Sequence, residues 1–175
     1  MTEPRKLPRT LAEAEKLPMT PRGGVIGSEV TVGTAGLMPE TLMLVAFANL
    51  QSYELLGRIT TDKEGAFTTT VKVPIWAQVN GAHYIFVSLF DERPIAMTAP
   101  FHVASADGTT QLTGFIGENV GDCVPMKKGE VTYHLVGIAG KHRVDTLVSV
   151  TGTLVEGDPC GQQNLTIEVT DSHPF

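Results

Sequence analysis

Hydrophobic and polar residues alternate over short stretches of this chain, with the two-residue period of β-strands. The stretch Ser28–Thr34 puts Val30 and Val32 on one face, and Ala66–Val73 alternates in the same way. Thr41–Ala48 is almost continuously apolar, which is typical of a buried strand. Low aromatic content and abundant Thr, Val and Gly favour the same structure. The pattern therefore predicts an all-β protein.

The first half of the chain has strands at regular spacing. In addition to the three stretches above, its sequence pattern predicts strands at Leu55–Thr61, Gly81–Phe90 and Ile95–Val103. Residues 62–65 form a predicted turn in which Gly65 supplies a positive φ, so that Leu55–Thr61 and Ala66–Val73 make a hairpin. Six or seven strands in about 80 residues predict a two-sheet sandwich.

Three segments of this half carry a family resemblance: GSEVTVGTAGLMPE, LLGRITTDKEGAFTTTVKVP and GAHYIFVSLFDERPIAMTAPFHV. Residues 24–103 thereby resemble bacterial Ig-like domains, which open with G-x-x-V-T-V-x-G-x-G-L-x-P and contain T-D-x-x-G-x-F-x-x-x-V-x-V-P. The resemblance implies an Ig-like β-sandwich. It implies no activity, since such domains are mostly spacers, adhesive modules or assembly modules.

The second half predicts a small barrel. Strands are expected at Leu112–Gly117, Val131–Gly137, Leu147–Leu154 and Leu165–Thr170, with a fifth near Cys123–Met126, in a partly open barrel. The segments LTGFIGENVGDCVPM, HLVG and VSVTGTLVEGDPCGQQNLTIEVTD resemble small bacterial OB-like domains of unknown function. This resemblance covers residues 111–171 and implies an OB-like β-barrel.

These elements predict four segments. Residues 1–23 contain four prolines and form a Pro-rich N-terminal arm, 24–104 the sandwich, 105–110 a linker and 111–175 the barrel. Within the arm, Thr10 and Glu13 have capping-box spacing for a short helix ending at Leu17. That helix is too short to be stable alone. The arm is either a flexible tail or a docking segment that presents Leu7, Leu11 and Leu17.

Charge excludes some functions. The net charge is −6, with +2 on residues 1–23, −3 on 24–104 and −5 on 105–175. An acidic body repels phosphates, so no nucleic-acid partner is expected.

The longest apolar run is far shorter than the ~20 residues that cross a bilayer, so no membrane insertion is expected. The N-terminus does not read as a signal peptide. Localisation is open: cell envelope or extracellular if the cysteines are paired and a signal peptide has been removed, and cytoplasmic otherwise.

Cys123 and Cys160, the two cysteines, lie 37 positions apart. The predicted barrel brings their regions together, which makes a disulfide the favoured interpretation, with two independent structural thiols as the alternative. Nucleophilic thiols are not expected, because Asp122 and Asp158 oppose formation of the thiolate.

The histidines do not have metal-ligand spacing, and no metal or other cofactor is expected. His83 and His102 are interpreted as surface or half-buried strand residues. Only His134 and His142 are near neighbours in the predicted barrel, and an enzyme using them with an acid is the least favoured hypothesis. Weak calcium sites at the acidic tips 62–64 and 91–93 are a minor alternative.

No catalytic motif occurs in the sequence, so the chain is not expected to be an enzyme. Trp76 follows Ile75 in the loop PIWAQVN. An exposed Trp76 next to Ile75 would be a contact site for a protein partner, whereas a buried Trp76 would cap the sandwich. The sequence therefore favours a non-catalytic accessory or structural subunit of a larger assembly, of unknown oligomeric state. The alternative is a carbohydrate or small-ligand binding module at the cell envelope, using Trp76 or the barrel face.

Overall fold

A computed structural model describes residues 15–49, 51–90, 94–129, 131–155, 159–160 and 165–175. Its regular elements are all β-strands, which confirms the predicted all-β class. They are β1 (Glu15–Leu17), β2 (Met19–Thr20), β3 (Gly23–Val25), β4 (Glu29–Thr34), β5 (Leu42–Ala48), β6 (Tyr53–Thr60), β7 (Phe67–Lys72), β8 (Ala82–Ser88), β9 (Pro94–Thr98), β10 (Phe101–Ala104), β11 (Thr109–Ile116), β12 (Cys123–Lys128), β13 (Val131–Val136), β14 (Leu147–Leu154) and β15 (Thr166–Pro174). The described residues include no helix long and apolar enough to span a membrane.

The described residues divide into two compact units. The first comprises the described part of 1–22 together with 27–76 and 83–101, and the second comprises 23–26, 77–82 and 102–175. Residues 15–20 of the expected arm are strands β1 and β2, so this part of the chain belongs to the sheets of the first unit. Residues 15–17, where the sequence suggested the end of a short helix, are strand instead. The rest of that window lies outside the described residues.

The first unit contains two sheets. In one, the strands follow the order β1-β9-β8-β5-β6, and in the other the order β2-β4-β7. Alternation works as predicted on β4, where Val30 and Val32 are buried between exposed residues. On β5 both faces are buried from Met43 onward, which explains its continuous apolar run.

The predicted hairpin across residues 62–65 is wrong in its pairing. Gly65 has the expected positive φ of 73°, and its N–H donates to the Asp62 carbonyl, so the turn itself forms. The strands on either side nevertheless have different partners, since β6 pairs with β5 and β7 pairs with β4. The turn therefore carries the chain from one sheet to the other. Likewise, the single strand predicted at Ile95–Val103 is two strands, separated at residues 99–100.

The second unit contains a closed five-stranded barrel with the order β11-β12-β13-β15-β14. All its pairings are antiparallel except that of β13 with β15. Closure corrects the expectation of a partly open barrel, because β11 pairs with β14 from Thr109 to Phe115. The interior consists of buried side chains from every strand and from the adjoining residues 138 and 165: Leu112, Ile116, Val124, Met126, Val131, Tyr133, Leu135, Ile138, Val148, Val150, Leu165 and Ile167.

The junction predicted as a linker, residues 105–110, is a tight turn followed by the start of β11. The side chain of Asp107 accepts hydrogen bonds from the Ser105 hydroxyl and from both the hydroxyl and the amide of Thr109. Strand β10 enters this turn, and within the second unit it pairs in parallel with β3. Small polar residues thus form a compact turn here, because their side chains satisfy its backbone groups.

Candidate functional site

The structure joins Cys123 to Cys160 in a disulfide whose Cα atoms lie 5.8 Å apart. Cys123 begins β12 and exchanges two backbone hydrogen bonds with Val120, which fixes its position at the barrel end. Both cysteines are half-buried. Residues 156–158 and 161–164, which flank Cys160, lie outside the described residues. Within the described part of the chain no cysteine is free.

A shallow cleft of about 600 Å³ lies beside the disulfide. Its lining includes Cys123, Pro159 and two carboxylates, Asp122 and Glu168. Both carboxylates belong to exposed residues. Among the described residues no group of three or more His, Cys, Asp or Glu side chains is placed to hold a metal ion. The cleft therefore offers two solvated carboxylates, a set that does not make a metal centre.

The histidines named as possible catalytic residues do not line this cleft. His134 lies on β13, with Pro125 and Thr166 as its cross-strand neighbours. Burial lowers the pKa of His134, and its Nδ1 atom has no hydrogen-bond partner. His142, in contrast, has a hydrogen-bond partner, because its Nε2 atom lies 2.9 Å from the Ser172 hydroxyl oxygen.

His83 and His102 correct the expectation of surface or half-buried residues, because both are fully buried. His83 lies against aromatic rings in the first unit, with its ring centre 5.3 Å from that of Phe47. Imidazole rings fill apolar interiors when their nitrogens find partners, and the sequence pattern does not reveal whether they do.

His102 is the centre of a buried polar chain in the barrel unit. Its Nδ1 atom lies 3.1 Å from the Tyr133 hydroxyl, and its Nε2 atom contacts the Thr110 hydroxyl. The Thr110 hydroxyl donates its one proton to the Asn80 side-chain oxygen at 2.8 Å. Nε2 must therefore carry the imidazole proton and donate it to Thr110, which leaves Nδ1 to accept from Tyr133. In the order Tyr133, His102, Thr110, Asn80, each of the first three residues donates one hydrogen bond to the next.

The partner-contact candidates separate into three groups. Ile75 is 89% exposed, whereas Trp76 is half-buried and therefore partly covered. Leu17 is only 3% exposed, because its side chain on β1 faces the interior of the first unit, and this rules it out as a partner contact. Leu7 and Leu11 lie outside the described residues.

Trp76 is held in place on two sides. Its indole N–H donates to the Glu54 carboxylate on β6, and its ring packs edge to face on Phe47 with ring centres 5.8 Å apart. Phe47 is fully buried on β5. The loop is thus anchored at Trp76, and it projects Ile75 into solvent.

Sequence reasoning missed the exposure of β6. None of its eight residues is buried, and only Leu56 and Ile59 are half-buried. Among the described strands, β6 pairs with β5 alone. A glycine and two charged residues within YELLGRIT are the signal that could have identified an edge strand, since charge and glycine are common there.

A β-bulge divides β6 into two parts. The pairing passes from Val45 with Gly57 to Ala46 with Leu55, which leaves Leu56 without a cross-strand partner. The side chains of Glu54 and Ile59 consequently lie on one face of the sheet, and those of Leu55 and Arg58 on the other.

Comparison with known proteins does not assign the chain to a family. No protein-family model matches it, and no curated protein is significantly similar to it. Function is therefore argued from the residues and their geometry.

Proposed function

We propose that this chain is a non-catalytic accessory or structural subunit that makes protein–protein contacts in a larger assembly. The observation that carries this proposal is the loop at residues 74–76. Ile75 is 89% exposed, and it lies between Pro74, which has a fixed φ, and an anchored Trp76. Exposed apolar side chains are common singly, but most lie on segments that must lose conformational entropy when a partner binds. Here the ordering of the loop precedes binding.

The contact would have Ile75 as its apolar centre and the accessible part of Trp76 beside it. Binding energy at protein interfaces concentrates in a few such residues surrounded by weaker contacts. Leu7 and Leu11 remain proposed contacts of the N-terminal arm, whose docking role is now limited to residues before Glu15.

The proposed folds agree with a binding role. The barrel order of first, second, third, fifth and fourth strand, with the third and fifth parallel, supports an OB-like barrel in the second unit. The two sheets of the first unit support an Ig-like sandwich. Both architectures serve widely as interaction modules, although neither specifies a partner.

The test is capture of partners from the native source by wild-type protein and by Ile75→Asp, with light scattering of any purified complex. Val144→Asp is the matched control, since Val144 is also β-branched and 47% exposed. We expect Ile75→Asp to weaken the complex by at least about tenfold, as loss of a central contact does. Equal capture by wild type and Ile75→Asp, with circular dichroism showing both folded, would contradict the proposal.

A carbohydrate-binding module is the second candidate, and the pairing of Trp76 with Glu54 is what favours it. Sugar sites commonly place an aromatic ring beside a polar group that fixes orientation. Binding on a glycan array that Trp76→Ala abolishes and Ile75→Asp preserves would select this candidate over the first.

A further inference from the structure

The backbone of β6 has hydrogen-bonding groups that no described strand uses. The Thr61 N–H donates to the Thr41 carbonyl, so residues 41 and 61 form a hydrogen-bonded pair of the antiparallel ladder. Such pairs alternate, which makes Ile59 and Gly57 the next two residues of β6 whose backbone groups point toward β5. The N–H and C=O groups of Arg58 and Thr60 therefore point away from the sheet.

The usable length of this edge is well defined. The bulge at Leu56 ends it on one side, and the turn beginning at Asp62 ends it on the other. Residues 57–61 remain, and their central residue is Ile59. Gly57 has open space where a side chain would begin, which suits the close approach of another backbone.

We propose that β6 pairs with β6 of a second copy of this chain, antiparallel and about a two-fold axis at Ile59. In this arrangement Arg58 lies opposite Thr60 of the second copy, and the two residues exchange both backbone hydrogen bonds. The same pair recurs across the axis, so four outward groups on each chain find partners. The two Ile59 residues face each other as a non-hydrogen-bonded pair, whose side chains approach most closely in such ladders.

The register follows from hydrogen bonding and charge together. An axis at Ile59 pairs all five residues of the free segment with their symmetry mates. An axis at Arg58 would also match outward groups, but it would set two guanidinium groups directly opposite each other, which is unfavourable. In the Ile59 register, Arg58 instead has Asp62 of the second copy two residues beyond its direct partner, within reach of its long side chain.

This pairing closes on itself. An isologous strand pair uses the same edge of both chains, and each dimer then has no free copy of that edge to extend. Five paired residues make a small interface, so the dimer forms with increasing concentration and dissociates on dilution. The inference is independent of the contact at Ile75, because it concerns a different edge and a second copy of the same chain.

The test combines sedimentation with directed crosslinking of the full chain. Sedimentation of the wild type over a wide concentration range should give a mass that rises from that of one chain toward that of two. Ile59→Cys should form a disulfide-linked dimer under oxidised glutathione, since Cα atoms across the axis lie about 4.5 Å apart. Gly57→Cys is the control, because in this register two residues 57 lie about 13 Å apart along the strands, too far for a disulfide. Peptide mapping identifies the linked cysteines.

A third variant tests the backbone groups. Arg58→Pro removes an outward N–H that no described strand of the single chain uses, and proline is tolerated on edge strands with this orientation. We expect a folded chain that sediments as a monomer at every concentration. A wild type that stays monomeric throughout, with no linked dimer of Ile59→Cys, would overturn the proposal. Crosslinking of Gly57→Cys at the rate of Ile59→Cys would overturn the register and with it the proposed axis.

Discussion

Removing one oxygen from the buried polar chain of the barrel unit should destabilise the protein measurably. In Tyr133→Phe the ring remains, so its edge-to-face packing on His102, with ring centres 5.4 Å apart, is preserved. What is lost is the hydroxyl that donates to Nδ1 of His102. Because His102 is 0% exposed and Tyr133 is 1% exposed, water does not replace that donor. An unsatisfied buried acceptor costs about 1–3 kcal/mol.

This loss corresponds to a thermal midpoint lowered by roughly 2–12 °C for a chain of this length. Calorimetry of the wild type, Tyr133→Phe and Thr70→Val provides the comparison. Thr70→Val is the control, because it removes a hydroxyl that bonds Thr31 on an exposed sheet face, where water compensates. We expect that control to change stability by no more than about 0.5 kcal/mol.

A double-mutant cycle identifies the chain of bonds rather than a single contact. Thr110→Val removes the acceptor at the other nitrogen of His102, so its effect should couple to that of Tyr133→Phe by at least about 0.5 kcal/mol. The reasoning would be refuted if Tyr133→Phe lost no more stability than Thr70→Val, or if the two network variants were strictly additive.

Three further predictions concern local features. Opening the Cys123–Cys160 disulfide, by a reductant or by substitution of both cysteines with Ser, should cost roughly 4 kcal/mol in the loop-entropy model, measured by denaturant unfolding; two alkylatable thiols in the non-reduced protein would contradict the pairing. Hydrogen bonds from the Ser105 hydroxyl, then from Thr109, lower the pKa of Asp107 to about 2, so its stabilising ionised form is complete above pH ~4 and is lost as pH falls toward 2. Nuclear magnetic resonance titration should find that pKa, and Ser105→Ala should raise it toward 3.8. Gly65→Ala should destabilise the turn by more than about 1 kcal/mol, since φ is 73° and an added methyl group would overlap the Leu37 backbone; unchanged thermal unfolding would contradict this.

Local periodicity predicted which residues form strands, because alternation and turn chemistry are properties of neighbouring residues. It predicted pairing less well, and the turn at residues 62–65 shows why. Gly65 and Asp62 specify a tight reversal of the chain, but they do not specify whether the following strand joins the same sheet. That choice depends on β4, the partner of β7, which lies in a different sheet from β5 and ends more than 30 residues before β7 begins.

The histidines show the corresponding limit for candidate sites. His102 sits in FHVA, a run with no polar neighbour that suggests a hydrogen-bonded role. Its partners are Thr110, eight residues away, and Tyr133, 31 residues away, so only the folded barrel brings them together. The cysteines were easier to interpret. Cys123 begins the second strand of the barrel and Cys160 precedes its last strand, and a closed barrel keeps these two places close together.

Hydrogen-bond satisfaction separates structural polar groups from those that could interact with another molecule. In the described part of the chain, both nitrogens of His102 are bonded within the barrel unit, and the Asp107 carboxylate accepts three hydrogen bonds within its own turn. These bonds hold both groups in structural roles. Two buried side-chain atoms of the described residues have no hydrogen-bond partner, Ser88 Oγ and His134 Nδ1, and neither residue lines the cleft. The groups that this structure leaves exposed or unbonded include the outward backbone of β6 and the side chain of Ile75, together with the exposed side chains of Phe90, Val120 and Phe175. Unpaired strand edges and ordered apolar side chains can recognise other polypeptides, and the two proposed contacts rest on these two kinds of surface.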